Sequence, residues 1–176
     1  DVRTFGADVV TGGTVKYLLG SAGLAFMWLR ESLRSQLLPT QTGWFADEDV
    51  FRMDISDYSP AGDARRFDSG TPPVPNIYAG LAGIAIVREA GVEAIEAHVR
   101  ALVDELLAGL DELGARVVTP RGEDDRGPLV CVESTDPEAL VAALRERSIV
   151  TSARDPSVRV SLHLYNTRDD VARILG

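Results

Sequence analysis

One stretch restricts the fold more than any other. Residues 92–114, VEAIEAHVRALVDELLAGLDELG, set Ile95, Val99, Leu102, Val103, Leu106, Leu107 and Leu110 on one face of a helix. Gly114 closes it, as a glycine that accepts a left-handed backbone closes a helix. So long an apolar stripe needs an apolar surface to lie on. The segments that follow supply it: ARVVTP (115–120), PLVCVES (128–134), SIVTSA (148–153) and VRVSLHLY (158–165) all read as strands.

Three more helices complete this part. PNIYAGLAGIAIVREAG (75–91) has apolar residues at helical spacing and stops at Gly91. DPEALVAALRER (136–147) opens with Asp136 as N-cap and Pro137 at the first helical position. TRDDVARIL (167–175) opens with Thr167 as N-cap, and Asp169 and Asp170 complement the dipole of its first turn. From residue 75 the order is helix, helix, strand, strand, helix, strand, strand, helix. That order predicts a small, mostly antiparallel sheet covered by helices on one face, an α/β chain with an α+β small domain. The acidic loop RGEDDRG (121–127) reads as a solvated turn, and RDPS (154–157) as the turn between the last two strands.

The first 74 residues are organised differently. FGADVV (5–10) reads as a strand running into glycines, and GLAFMWLR (23–30) as a buried strand. Residues 31–74 show no periodicity and are rich in turn residues, which marks either a functional loop or a connector between domains. The expected division is therefore 1–74 and 75–176.

Composition excludes several classes. The formal net charge of -9 argues against a nucleic-acid partner, because phosphate binding needs a basic face. No run of eighteen apolar residues suggests a membrane span. The single cysteine rules out an internal disulfide framework and fits a reducing cytoplasm. With Cys131, His98 and His163 far apart, no zinc site is expected. His98 falls on the polar side of its helix and reads as solvated, and Cys131 lies in an apolar strand and reads as an inert thiol.

Among 18 basic residues, one is lysine: Lys16, in TGGTVKYLLGSAGLAF (11–26). A guanidinium stays protonated, whereas a lysine amine can lose its proton and form an imine with a carbonyl. Lys16 sits between Gly12–Gly13 and Gly20 with apolar runs on both sides, an odd place for a solvating charge. Arg159 shares one face of its strand with Ser161, His163 and Tyr165. That face reads either as the wet side of an edge strand or as a carboxylate site, since the guanidinium fork matches a carboxylate. Thr71, in SGTPPVPN, is an ordinary turn residue, a helix cap or an anion contact. Gly12, Gly13 and Thr14 offer a second, weaker anion motif.

Three segments converge on a known family. GADVVTGGTVKYLLGSAGLAFMWLR, RRFDSGTPPVPNIYAGLAGIAIVREAG and VRVSLHLYNTRDDVARIL together resemble the class V aminotransferases, pyridoxal-phosphate enzymes that include cysteine desulfurases, kynureninases and isopenicillin N epimerase-like proteins. The resemblance implies the C-terminal portion of a PLP-transferase (aspartate aminotransferase-like) fold. Residues 1–74 would carry the last strands of the cofactor domain with the Schiff-base lysine and a connector, and 75–176 the small domain. It implies pyridoxal 5'-phosphate as cofactor, with Lys16 as the residue joined to it and Thr71 and Thr14 near its phosphate. Arg159 would grip the carboxylate of a small amino acid or keto acid. It further implies a homodimer.

The chain departs from the pattern in two places. Many relatives have serine three residues before the lysine and histidine just before it; here these are Gly13 and Val15. Desulfurases carry a nucleophilic cysteine before the arginine strand, and IVTSARDPSV has none, which disfavours persulfide chemistry. Transamination is the expected reaction, with a lyase or epimerase, or a non-catalytic relic kept for association, as alternatives. The family's ring-binding aspartate and aromatic precede the lysine by more than the residues present, so this chain by itself is not expected to turn over substrate.

Overall fold

The structure is a computed structural model that describes residues 2–176. The chain divides into two compact units after Val87.

In the N-terminal unit, β1 (Val9–Gly13) and β2 (Ala25–Leu29) pair antiparallel, from Val9 opposite Leu29 to Gly13 opposite Ala25. Two further bonds lengthen the ladder, Thr14 N–H to Leu24 O at 3.0 Å and Arg30 N–H to Asp8 O at 2.9 Å. The strand expected to start at residue 5 starts at Val9, because Gly6 turns the chain with φ 63°. β2 was expected to be buried, yet Ala25, Phe26 and Met27 are exposed. A two-stranded ribbon gives each strand a single neighbour, so burial must come from another layer.

Residues 31–74 contain α1 (Glu31–Arg34), two short 3-10 turns (Trp44–Ala46 and Ala64–Phe67) and a bridge between Asp47 and Pro60. Carboxylates organise this stretch in place of an apolar period. Asp47 accepts from the N–H groups of Asp49 (2.9 Å) and Ser59 (3.1 Å) and from Arg52 (2.9 Å). Arg66 donates to the carbonyls of Ala61 (2.9 Å) and Arg34 (2.6 Å), tying two loops together. Then α2 (Val74–Ala90) begins, with Gly80 and Gly83 as its buried residues.

The C-terminal unit contains α3 (Val92–Glu112), β3 (Leu129–Glu133), α4 (Pro137–Glu146), β4 (Ser152–Arg154), β5 (Ser157–Ser161) and α5 (Arg168–Leu175). The strands form one antiparallel sheet in the order β3-β5-β4. The α3 stripe lies where its sequence directs: Val99, Leu102, Val103, Leu106 and Leu107 pack with Val130, Val160, Leu162 and Val171 in one core. Asp136 caps α4, accepting from Ala139 N–H at 3.0 Å. Thr167 and Asp170 cap α5 reciprocally. This is the α/β architecture expected, with helices and a small antiparallel sheet.

Two local expectations change. The strand at 115–120 contracts to a bridge between Val117 and Val132. Thr119 replaces part of the ladder with its side chain, accepting from Cys131 N–H at 2.8 Å and donating to Leu129 O at 3.3 Å. The loop 121–127 is not simply solvated. Arg100 of α3 pairs with Glu123 at 2.7 Å, Arg121 pairs with Asp111 at 2.6 Å, and Arg126 pairs with Asp104. Among the described residues, no helix is long and apolar enough to cross a membrane.

Candidate active site

Residues 14–24 connect β1 to β2 and carry Lys16. The loop is held at several points along its length. At its neck, Thr14 is 3% exposed and acts as a hub. Its N–H donates to Leu24 O (3.0 Å), its carbonyl accepts from Gly20 N–H (2.8 Å), and its hydroxyl faces Ser21 O and Leu24 O, each at 3.2 Å. Its one hydroxyl proton is thus given to main-chain carbonyls of the same loop.

Further along, the loop lies on helix α2. A β-carbon on Gly83 would collide with the carbonyl of Leu18, so only glycine admits this approach. Asn76, in the first turns of α2, donates to Ala22 O at 2.6 Å. Leu19 is held at φ 54°, a conformation that costs a non-glycine residue about 1–2 kcal/mol. Surrounding contacts compensate that strain, as they do where a backbone is built for a task.

Lys16 itself projects from this framework. It is exposed, and its amine has no hydrogen-bond or ion-pair partner among the described residues. Its carbonyl accepts from Leu19 N–H at 3.0 Å, so the main chain is ordered even though the side chain is free. Thr71 belongs to the same unit and is exposed in the bend before α2.

Arg159 belongs to the C-terminal unit. It lies on β5, opposite Cys131 on one side and Ser152 on the other. β5 is therefore the central strand, and the edge-strand alternative falls. Arg159 is partly buried, and its Nε is fully buried without a hydrogen-bond partner among the described residues. A buried guanidinium nitrogen left unpaired is costly, and an anionic ligand would satisfy it.

The polar face drawn through residue 165 ends sooner than alternation suggests, because β5 stops at Ser161. His163 is buried at 9% exposure, accepts from Leu164 N–H through Nδ1 at 2.8 Å and stacks on Tyr165 at 5.1 Å. His98 is not merely solvated: its Nε2 donates to Asn166 O at 2.9 Å. Cys131 is a free, partly buried thiol. Among the described residues, no cluster of three or more His, Cys, Asp or Glu side chains is arranged to hold a metal.

Sequence reasoning named Lys16 and Arg159 as candidates but did not single out the residues that hold the lysine loop. Asn76, Gly80 and Gly83 stand at helical spacing on α2, which is the one signal that marks a face built for close approach.

Comparison with known proteins gives the family and the fold. The family model described as Aminotransferase class-V matches residues 1–174. The chain is 30% identical over 171 residues to the uncharacterized aminotransferase YcbU of Bacillus subtilis (strain 168), covering 97% of this chain and 45% of that protein. It is 28% identical over 163 residues to a kynureninase of Pseudomonas fluorescens, covering 90% of this chain and 39% of the other. Among solved structures, the apo cysteine desulfurase of Thermococcus onnurineus NA1 superposes with a TM-score of 0.90 at 25% identity, over 99% of this chain and 47% of that one. The chain thus spans less than half the length of each. It belongs to the class V aminotransferase family.

Proposed function

We propose that the intact protein is a pyridoxal 5'-phosphate enzyme that transaminates a small amino acid. Family membership makes this the cofactor. The residues present suit it: an unpartnered primary amine on an ordered loop for an aldehyde, and an unsatisfied guanidinium nitrogen for a carboxylate. When bound, the cofactor withdraws electrons from the substrate's α-carbon.

The chain's own residues do the rest. Lys16 Nζ would hold the cofactor and, once released, carry the proton to and from the substrate α-carbon. Arg159 would take the substrate carboxylate through its guanidinium fork. Thr71 would offer its exposed hydroxyl to the phosphate, in a homodimer to that of the neighbouring subunit. The observation that carries this reading is Lys16: the chain's sole lysine, exposed and without a polar partner among the described residues, on a loop fastened at its neck and along α2.

A lyase is the second reading, favoured by the likeness to a kynureninase. Persulfide chemistry of the desulfurase kind is disfavoured, because residues 149–158 contain no cysteine. The test is a titration of the full-length protein with pyridoxal phosphate, followed by a screen of amino donors. A visible absorbance band in the wild type, absent in Lys16→Ala and shifted by amino acid plus keto acid, supports transamination. Release of a side-chain fragment without transfer of the amino group supports the lyase. No band in the wild type contradicts both.

A further inference from the structure

We propose that Thr14 is a positioning residue for Lys16, its hydroxyl acting as the tie that fixes the loop on which the lysine stands. The proposal rests on the reading of Lys16 given above and adds a residue to it. Three observations carry it. First, the Thr14 hydroxyl faces the carbonyls of Ser21 and Leu24, which lie on the returning limb of the loop. With Thr14 N–H bound to Leu24 O and Gly20 N–H bound to Thr14 O, one residue closes the neck of residues 14–24.

Second, the side chain is enclosed. A β-carbon built on Gly20 would stand 2.7 Å from Thr14 Oγ1 and 3.1 Å from the Gly80 Cα. The Thr14 methyl lies 3.8 Å from where a Gly80 β-carbon would be. Glycines on the loop and on α2 thus leave a slot that the threonine fills. Third, Lys16 is two residues away and exposed, and its amine has no hydrogen-bond or ion-pair partner among the described residues to orient it. Its position is set by its backbone, and its backbone is set at Thr14. The hydroxyl expected near the cofactor phosphate is engaged by the carbonyls of Ser21 and Leu24 and serves the lysine through the backbone.

The test uses the intact protein and reads cleavage after Lys16 by a lysine-specific protease, followed by mass spectrometry. Such cleavage needs local opening of the loop. Thr14→Val keeps the methyl and the β-branch and removes the hydroxyl; Thr14→Ser keeps the hydroxyl. Without cofactor, Thr14→Val is expected to be cut about tenfold faster than wild type, the factor that one hydrogen bond of ordinary net strength represents. Thr14→Ser should stay within about twofold, the range of a neutral substitution. Gly20→Ala, whose methyl would press on Thr14 Oγ1, should raise cleavage as Thr14→Val does, and it keeps the test in force where the valine variant fails to fold.

A second readout is the dissociation constant for pyridoxal phosphate, expected to rise in Thr14→Val and to be restored in Thr14→Ser. Equal cleavage of wild type and Thr14→Val overturns the proposal. So does acceleration that serine does not rescue, or cofactor affinity unchanged by the loss of the hydroxyl. A wild type that takes up no cofactor while the cleavage rates still differ overturns the reading of Lys16 and leaves the tie standing as a structural one.

Discussion

The carbonyl of Leu18 lies against the backbone of Gly83, so closely that no β-carbon fits between them. The lysine loop and helix α2 are therefore in main-chain contact, and α2 is part of what locates Lys16. Gly83→Ala is expected to push the loop off the helix. The predicted loss is about 1–3 kcal/mol, typical of overpacking at a rigid contact. Urea unfolding followed by tryptophan fluorescence measures it, with Trp28 on β2, the strand that follows the loop.

Leu106 is fully buried at the centre of the α3 core. Leu106→Ala should cost about 2–5 kcal/mol through lost burial and the cavity left behind. Chemical denaturation is the check. An exposed position just past the end of α3, Leu113→Ala, should change stability by no more than about 0.5 kcal/mol.

The carboxyl of Asp170 is held below the ordinary value of 3.8, first by the N–H of Thr167, then by the Asn166 side chain. A lowered pKa means that the cap stabilises the fold fully above the ordinary value and loses this effect as pH falls through the lowered one. Asp170→Ala should therefore melt at lower temperature than wild type at pH 7. The gap should narrow progressively as the pH is taken below 3.8. Melting curves of both proteins across acid pH check the sign.

Arg159 carries a buried Nε with no hydrogen-bond partner among the described residues. If it serves the substrate carboxylate, Arg159→Gln should raise KM by about 10- to 100-fold, the range of a lost charge-assisted bond. Cofactor absorbance should remain. Steady-state kinetics on the full-length enzyme separates this from a folding defect, which would lower apparent kcat and cofactor absorbance and leave KM unchanged.

Elements with strong internal signals are legible in the sequence. Helix α3 announces itself by its stripe, α4 by Asp136–Pro137, and α5 by Thr167 with two acidic residues behind it. The segment 115–120 misleads, because the Thr119 hydroxyl does the work of a strand's main chain and no propensity encodes that. The loop 121–127 is solvated as expected, but its ion pairs to α3 are not legible. Its solvent-facing charges also meet Arg100, Asp104 and Asp111 of α3, partners distant in the chain. At the candidate site, the chemical residues stand out by type: a lone lysine, and an arginine between valines. What fastens them does not, since Gly20, Gly83 and Asn76 matter only through contacts across residues distant in the chain.

The most direct measurement treats the full-length protein with pyridoxal phosphate, reduces it with borohydride and maps the modified peptide by mass spectrometry. The account predicts a pyridoxyl adduct on the peptide that contains Lys16, at about one per chain, and none in Lys16→Ala. An unmodified Lys16, or an adduct carried on a different residue, would contradict it.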